Sequence, residues 1–207
     1  CAESFMTGNS DLIISYSDII YSPKVLKKLL NSNEKISVVI DKEWFNQWKE
    51  RMDNPLEDAE TLKLDNNNYI QEIGKKPKSY DEIEGQYIGL IKIRKDIVNE
   101  VLKFFKNLKS EKNMYMTDFL TLISKNISPL KAILINGGWC EFDCVTDLKY
   151  NLDVSWYKNT KKLEFSTKAN NLKNLENKLE DIYISKLYIF TYREWCEDKD
   201  NILNIIS

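Results

Sequence analysis

Residues 11–41 run DLIISYSDIIYSPKVLKKLLNSNEKISVVID, and this stretch decides the fold. Asp11 to Ser17 is a short Ile-rich run bounded by Gly8-Asn9-Ser10 and by Asp18, the pattern of a buried strand. Pro23 then opens a segment with Val25, Leu26, Leu29 and Leu30 at helical spacing, with the proline in the first turn, where its missing N–H costs nothing. Ile36 to Ile40 is a second β-branched run, closed by Asp41. Two such runs separated by a helix predict an α/β domain with a parallel sheet and crossover connections.

Working outward, residues 41–81 are less regular. Trp44, Phe45 and Trp48 share helical spacing, PLEDAE is acidic, and Thr61 to Leu64 and Tyr69 to Ile73 read as short strands, together predicting an inserted, substrate-facing region. Gly85 to Ile93 resumes as a strand, Asp96 to Leu108 and Thr117 to Lys125 as helices, and Leu130 to Ile135 as a strand. Gly137-Gly138 is a turn, Trp139 to Asp143 follows as an extended segment, and Thr146 caps a helix. This places one domain at residues 1–150 and a small α/β extension, or the start of a second module, at residues 151–207.

Composition narrows the chemistry. Lys plus Arg number 30 against 32 Asp plus Glu, a net charge of -2, which gives no field for nucleic acid. Histidine is absent, which removes Ser-His-Asp and Cys-His catalysis and every His-ligated metal site. The cysteines Cys1, Cys140, Cys144 and Cys196 form no CxxC pair and fit a reduced, cytoplasmic protein better than a disulfide framework or a zinc site. No apolar run reaches the ~18 residues of a membrane span, and no signal-peptide pattern opens the chain. The opening Cys1, followed at once by a helix-like CAESFM, is expected to lie inside a longer reading frame.

The remaining chemistry falls to carboxylates and lysines. Asp18 follows a strand, where open α/β sheets place ligands. Glu141 and Asp143 alternate along GGWCEFDC and so share one side of an extended segment. Asp18 and Asp143 from distant segments suit Mg²⁺, which takes hard oxygen ligands and keeps several waters; each could equally be a turn former or cap. Lys76, before Pro77, is biased to an extended backbone that projects its ammonium, toward a phosphate or simply toward water. Asp58 and Glu60 fit an acidic pocket, a helix cap or a solvated face equally well.

From CAESFM to about Tyr150 the chain resembles the sugar-phosphate-type nucleotidyltransferases, and more closely the phosphocholine and 2-aminoethylphosphonate cytidylyltransferases. The resemblance is carried by DLIISYSDII, PLEDAETL, EIGKKPKSYDEIEGQYIGL, MTDFL and GGWCEFDCVTDL, in that order. It implies a Rossmann-like, three-layer (GT-A-like) nucleotidyltransferase domain. Asp18 and Asp143 then match the magnesium carboxylates, and Lys76 matches the lysine that contacts the substrate phosphoryl group. Glu84, Gln86 and Tyr87 would line the acceptor pocket, and Trp139 with Glu141 would recognise a cationic head group. The partners implied are CTP or another nucleoside triphosphate and a phosphocholine-like or aminoethylphosphonate-like acceptor, with no nucleic acid and no membrane.

One part of the family pattern is absent from these 207 residues: none of the six glycines stands in a GxGxR loop, which in the family holds the triphosphate. The chain alone is therefore expected to be inactive, as part of an N-terminally incomplete domain, and a non-catalytic binding or scaffold domain is the alternative. The tail from Ser166 resembles more loosely the start of a module that joins such domains to an ATP-grasp, phosphoenolpyruvate-synthase-like unit.

Overall fold

The computed structural model describes residues 2–108 and 114–141. The elements predicted up to residue 141 are present, and their order places a mixed sheet at the centre. Strands β1 (Leu12–Ser15), β3 (Ile36–Asp41), β6 (Gln86–Ile93) and β7 (Leu130–Ile135) form one four-stranded sheet in the order β1-β6-β3-β7. Two short ladders flank it, β2 (Ile19–Tyr21) with β8 (Trp139–Glu141) and β4 (Leu62–Leu64) with β5 (Ile70–Ile73). The helices are α1 (Pro23–Leu30), α2 (Trp44–Arg51), α3 (Lys95–Asn107) and α4 (Met116–Asn126).

The expected parallel sheet is corrected here. Only β3 and β7 pair in parallel, whereas β6 lies antiparallel between β1 and β3. A buried apolar run reports that a strand is central but carries no mark of its direction, so β6 was placed and its sense was not. The segment between Asp18 and the helix carries no element in the sequence reading. It forms β2, which pairs antiparallel with β8 in the register Ile19↔Glu141 and Tyr21↔Trp139.

The sheet separates two apolar layers, as the period-2 alternation of strand side chains requires. Ile36, Val38 and Ile40 of β3 face Ile97, Val98 and Val101 of α3 and Leu120 and Ile123 of α4. Val39 points the other way, toward Val25 and Leu29 of α1 and Trp44 and Trp48 of α2. The two tryptophans expected in a substrate-facing insertion are therefore core residues, with ring centroids 5.8 Å apart. The domain boundary near residue 150, the helix capped by Thr146 and every element expected beyond it lie outside the described residues.

A close approach at the middle of β6 aligns the site. Gly89 has φ +80°, and a Cβ there would stand 2.5 Å from Cγ of Tyr16, so the Tyr16 ring rests directly on the β6 backbone. Strain and overlap add at this position, and Gly89→Ala is expected to lower stability by about 2–3 kcal/mol. Urea unfolding measures this, and a midpoint equal to that of the unsubstituted chain would show that Tyr16 moves aside freely.

Candidate active site

The site lies at the carboxyl ends of the parallel pair β3 and β7, the end of an α/β sheet that receives ligands. Its support is Asp41, the last residue of β3, with a relative exposure of 1%. A carboxylate so buried is tolerated only when donors replace its water. Oδ1 accepts from the backbone N–H of Glu43 at 3.0 Å and of Gly137 at 2.8 Å, and Oδ2 accepts from Nε1 of Trp139 at 2.8 Å. Asp41 thereby ties the start of α2, the Gly137-Gly138 turn and the first residue of β8 to the end of β3. Sequence reasoning saw Asp41 only as a strand terminus, although the strand-end rule that singled out Asp18 applies to it equally.

Trp139 and Glu141, expected as a head-group pair, both have partners within the protein. Trp139 is 3% exposed, bonds Asp41 through its indole N–H, and packs against Trp48 at 5.8 Å. Glu141 accepts from Nη1 of Arg51 at 3.2 Å, and the same guanidinium lies 5.6 Å from the centroid of the Trp48 ring. The cation and aromatic face in this corner thus belong to the protein. The physical reason is reach: β8 pairs with β2 and turns Trp139 inward, a partner invisible in sequence.

Asp18 is exposed between β1 and β2, one residue before the Ile19↔Glu141 pair. Burial raises the pKa of the Tyr16 phenol, the neighbouring Tyr87 hydroxyl pulls it partly back, and the charges of Glu60, Asp18 and Glu141 raise it, so all three carboxylates act on one ring. Tyr87 meets Tyr16 edge to face at 5.7 Å. Its hydroxyl is buried next to that of Tyr16 but outside hydrogen-bonding geometry, with no partner among the described residues. Burial, then Tyr16, then Glu60 push its pKa well above the ordinary phenol value. Both phenols remain protonated donors near neutral pH. Asp143 lies outside the described residues, and among those residues no group of three metal-ligating side chains occurs.

Beside this corner is a cleft of about 270 Å³ lined by Asp58, Glu60, Lys75, Lys76, Thr117 and Asp118, among others. Opposite charges share it. Lys76, expected at a phosphoryl group, stands on its wall and donates to the carbonyl of Glu57. Lys75 pairs with Glu72. Asp58 accepts from Nε1 of Trp48 at 3.0 Å, which links the cleft to the aromatic core. Glu60 is half-buried; burial raises its pKa, the Thr117 hydroxyl at 3.3 Å pulls it down, and Asp118 and Asp58 push it up, leaving a net rise.

Two further expected acceptor residues have other partners. Gln86, 5% exposed, donates from Nε2 to the Glu60 carbonyl at 2.6 Å and accepts at Oε1 from the Glu60 N–H at 3.2 Å, so its amide holds the backbone of Glu60. Glu84 accepts from the Leu64 N–H at 2.9 Å and lies 3.5 Å from Nζ of Lys63, which braces the β4–β5 hairpin. Thr117 and Asp118 were missed as site residues, although both stand in the quoted MTDFL segment. Buried Cys140 has its thiol pushed up to about 12 by desolvation, partly offset by Arg51, and serves as packing.

No protein-family model matches the chain. A curated relative, the CTP:phosphoglutamine cytidylyltransferase of Campylobacter jejuni, is 44% identical over 165 residues, covering 74% of this chain. The chain spans 65% of that relative's length. Among solved structures, the inositol-1-phosphate CTP transferase of T. maritima matches with a TM-score of 0.58 at 16% identity, covering 78% of this chain and 63% of that one. A structure from Bacillus anthracis named as a glucose-1-phosphate thymidylyltransferase, in complex with sucrose, matches with a TM-score of 0.53 at 17% identity, covering 78% and 59%. These two show the shared fold. The 44% identity over 165 residues supports membership of the cytidylyltransferase family, and the two solved structures show its fold.

Proposed function

We propose that the protein takes part in transferring a cytidylyl group from CTP to a small phosphorylated or phosphonylated amine, with release of pyrophosphate. The observation that carries this reading is the cleft, where the carboxylates of Asp58, Glu60 and Asp118 share a wall with the ammonium groups of Lys75 and Lys76. A molecule bearing both an ammonium and a phosphoryl group is its charge complement. Phosphocholine and 2-aminoethylphosphonate meet that description. So does phosphoglutamine, the acceptor named for the curated relative, whose amino acid end adds a carboxylate for the second lysine. Among the three we favour the phosphorylated amino acid amide, because only it uses both signs of charge at its non-reacting end.

In the reaction, an acceptor phosphoryl oxygen forms a bond to the α-phosphorus of CTP, the bond from that phosphorus to the bridging oxygen breaks, and pyrophosphate leaves with the electron pair. The attacking oxygen is already an anion, so no general base is needed, in keeping with a chain that lacks histidine. Lys76 would orient the phosphoryl group and offset its charge. The Tyr16 and Tyr87 hydroxyls would supply donors at the corner shared with Asp18. Mg²⁺ takes hard oxygen donors, usually one or two carboxylates plus phosphate oxygens. Asp18 and Asp143 are the residues that would hold the metal, which would supply charge neutralisation across the triphosphate.

Pyrophosphate release from CTP by the full-length gene product, with each of the three acceptors and with Mg²⁺ or EDTA, tests this. Metal-dependent release with at least one acceptor is expected, and silence with all three would sink the proposal. Lys76→Met is expected to raise the acceptor KM about tenfold or more while sparing the affinity for CTP. Equal acceptor KM values in the two proteins would remove Lys76 from the phosphoryl contact.

A further inference from the structure

Glu60 is held more firmly than a surface carboxylate in a cleft needs to be. Its backbone is gripped at both ends by one side chain, the buried amide of Gln86, which satisfies both its N–H and its carbonyl. Its carboxylate is fixed separately, by the hydroxyl of buried Thr117 at 3.3 Å. Thr117 is itself located by Gly74, where a Cβ would come within 2.6 Å of the threonine Cβ. Elements from three parts of the chain, β6, the segment after β5 and the first turn of α4, therefore converge to aim one carboxylate.

Its surroundings also distinguish Glu60 from its acidic neighbours. Asp58 is engaged by the Trp48 indole, and both Asp58 and Asp118 are exposed. Glu60 is half-buried and makes no ion pair with Lys75 or Lys76, which are occupied by Glu72 and by the Glu57 carbonyl. It lines the cleft, and it also acts electrostatically on Tyr16 and Tyr87 at the Asp18 corner. A partly desolvated carboxylate without a cationic partner among the described residues, fixed between the two parts of the site, is suited to an ammonium supplied by a ligand.

We propose that Glu60 is the specificity-determining residue of the cleft, recognising the ammonium group of the acceptor, and that Gln86 is its positioning residue. The inference rests on the cytidylyl-transfer reading above and adds to it which residue separates a cationic acceptor from its neutral analogue. It also carries a pH signature. The groups facing Glu60 are Thr117, Asp118 and Asp58 with Lys75 and Lys76 on the cleft side, and Tyr16 and Tyr87 on the other. Their net effect raises its pKa, so its charge, and with it recognition of the ammonium, is lost at a higher pH than for an ordinary carboxylate as the solution is acidified.

The experiment compares phosphoglutamine with its N-acetyl derivative, in which the ammonium is gone and the phosphoryl group kept. The full-length protein is assayed by CTP-dependent pyrophosphate release as the unsubstituted form, Glu60→Gln and Gln86→Met. For the unsubstituted protein, KM is expected to be about 10- to 100-fold higher for the acetylated acceptor, with little change in kcat. Glu60→Gln, nearly isosteric, should bring the two KM values within about threefold of each other and abolish the rise in KM toward acid pH. Gln86→Met should narrow the ratio partly, and keep the pH dependence because the carboxylate is still there. A Glu60→Gln protein that still discriminates as the unsubstituted one does, or an unsubstituted protein with equal KM values, overturns the assignment of Glu60 alone. No pyrophosphate release with any acceptor overturns the transfer reading on which it rests.

Discussion

Pyrophosphate release from CTP is expected to fall about a thousandfold when Asp18 is replaced by alanine in the full-length protein, equivalent to about 4 kcal/mol of transition-state stabilisation. The size follows from what catalysis of this kind requires. The attacking phosphoryl oxygen and the triphosphate are both anionic, the protein makes no covalent bond to either, and positioning plus charge compensation carry nearly the whole rate. A carboxylate that would hold the compensating cation therefore acts on every charged oxygen in the reaction at once. The fold should tolerate the change, because Asp18 is exposed between two strands and surface substitutions shift stability by about 0.5 kcal/mol or less. A thermal melt run beside the kinetic assay separates the two effects. Turnover within a factor of about three of the unsubstituted protein would remove Asp18 from the reaction.

The second large effect concerns stability. Asp41→Asn is expected to destabilise the chain by about 2–4 kcal/mol. The asparagine keeps the volume and one acceptor, so the N–H groups of Glu43 and Gly137 can still be met. Its amide nitrogen then faces the indole N–H of Trp139, which now bonds Oδ2 at 2.8 Å, and two donors meet in a site with 1% exposure. Flipping the amide leaves the two backbone donors unmatched instead. Either orientation orphans a buried polar group, and urea unfolding should record a lower midpoint with an unchanged slope. A midpoint that stays in place would mean that the Gly137-Gly138 turn is held by packing alone. Because Asp41 anchors the first residue of β8, the same variant should also loosen the placement of Glu141.

Most of the architecture was legible in the chain. DLIISYS and ISVVI could be read as strands because β-branched residues crowd into short runs, and VLKKLL as a helix because its leucines recur at the right spacing. The pairing was less legible. β6 reads like any buried strand, and only its partners on both sides show that it runs against them. β2, with three residues, is too short to show a period, and its existence depends on β8, some 120 residues later in the chain.

The site divides along the same line. Asp18 and Lys76 can be singled out in the sequence because their local context, a strand end and a following proline, already restricts the backbone there. Trp139 and Glu141 are expected at a ligand because an aromatic beside a carboxylate is a plausible cation site, and their partners within the protein, Asp41 and Arg51, come from remote segments. Gln86, expected in the acceptor pocket, bonds the backbone of Glu60, 26 residues earlier in the chain. Distances of this kind between side chains of remote segments leave no local trace in a sequence, whereas strand ends do.

The tryptophan cluster has a use beyond packing. The indole N–H of Trp48 ends on Asp58 in the wall of the cleft, and that of Trp139 ends on Asp41 beneath the site, with the two rings 5.8 Å apart. Indole emission is sensitive to the charge at its nitrogen, so each ring senses a carboxylate that a bound ligand would perturb. The geometry thus offers an optical probe: a ligand entering the cleft is expected to change the ultraviolet fluorescence, unlabelled and in real time, with Trp48→Phe as the form in which that signal from the wall falls silent.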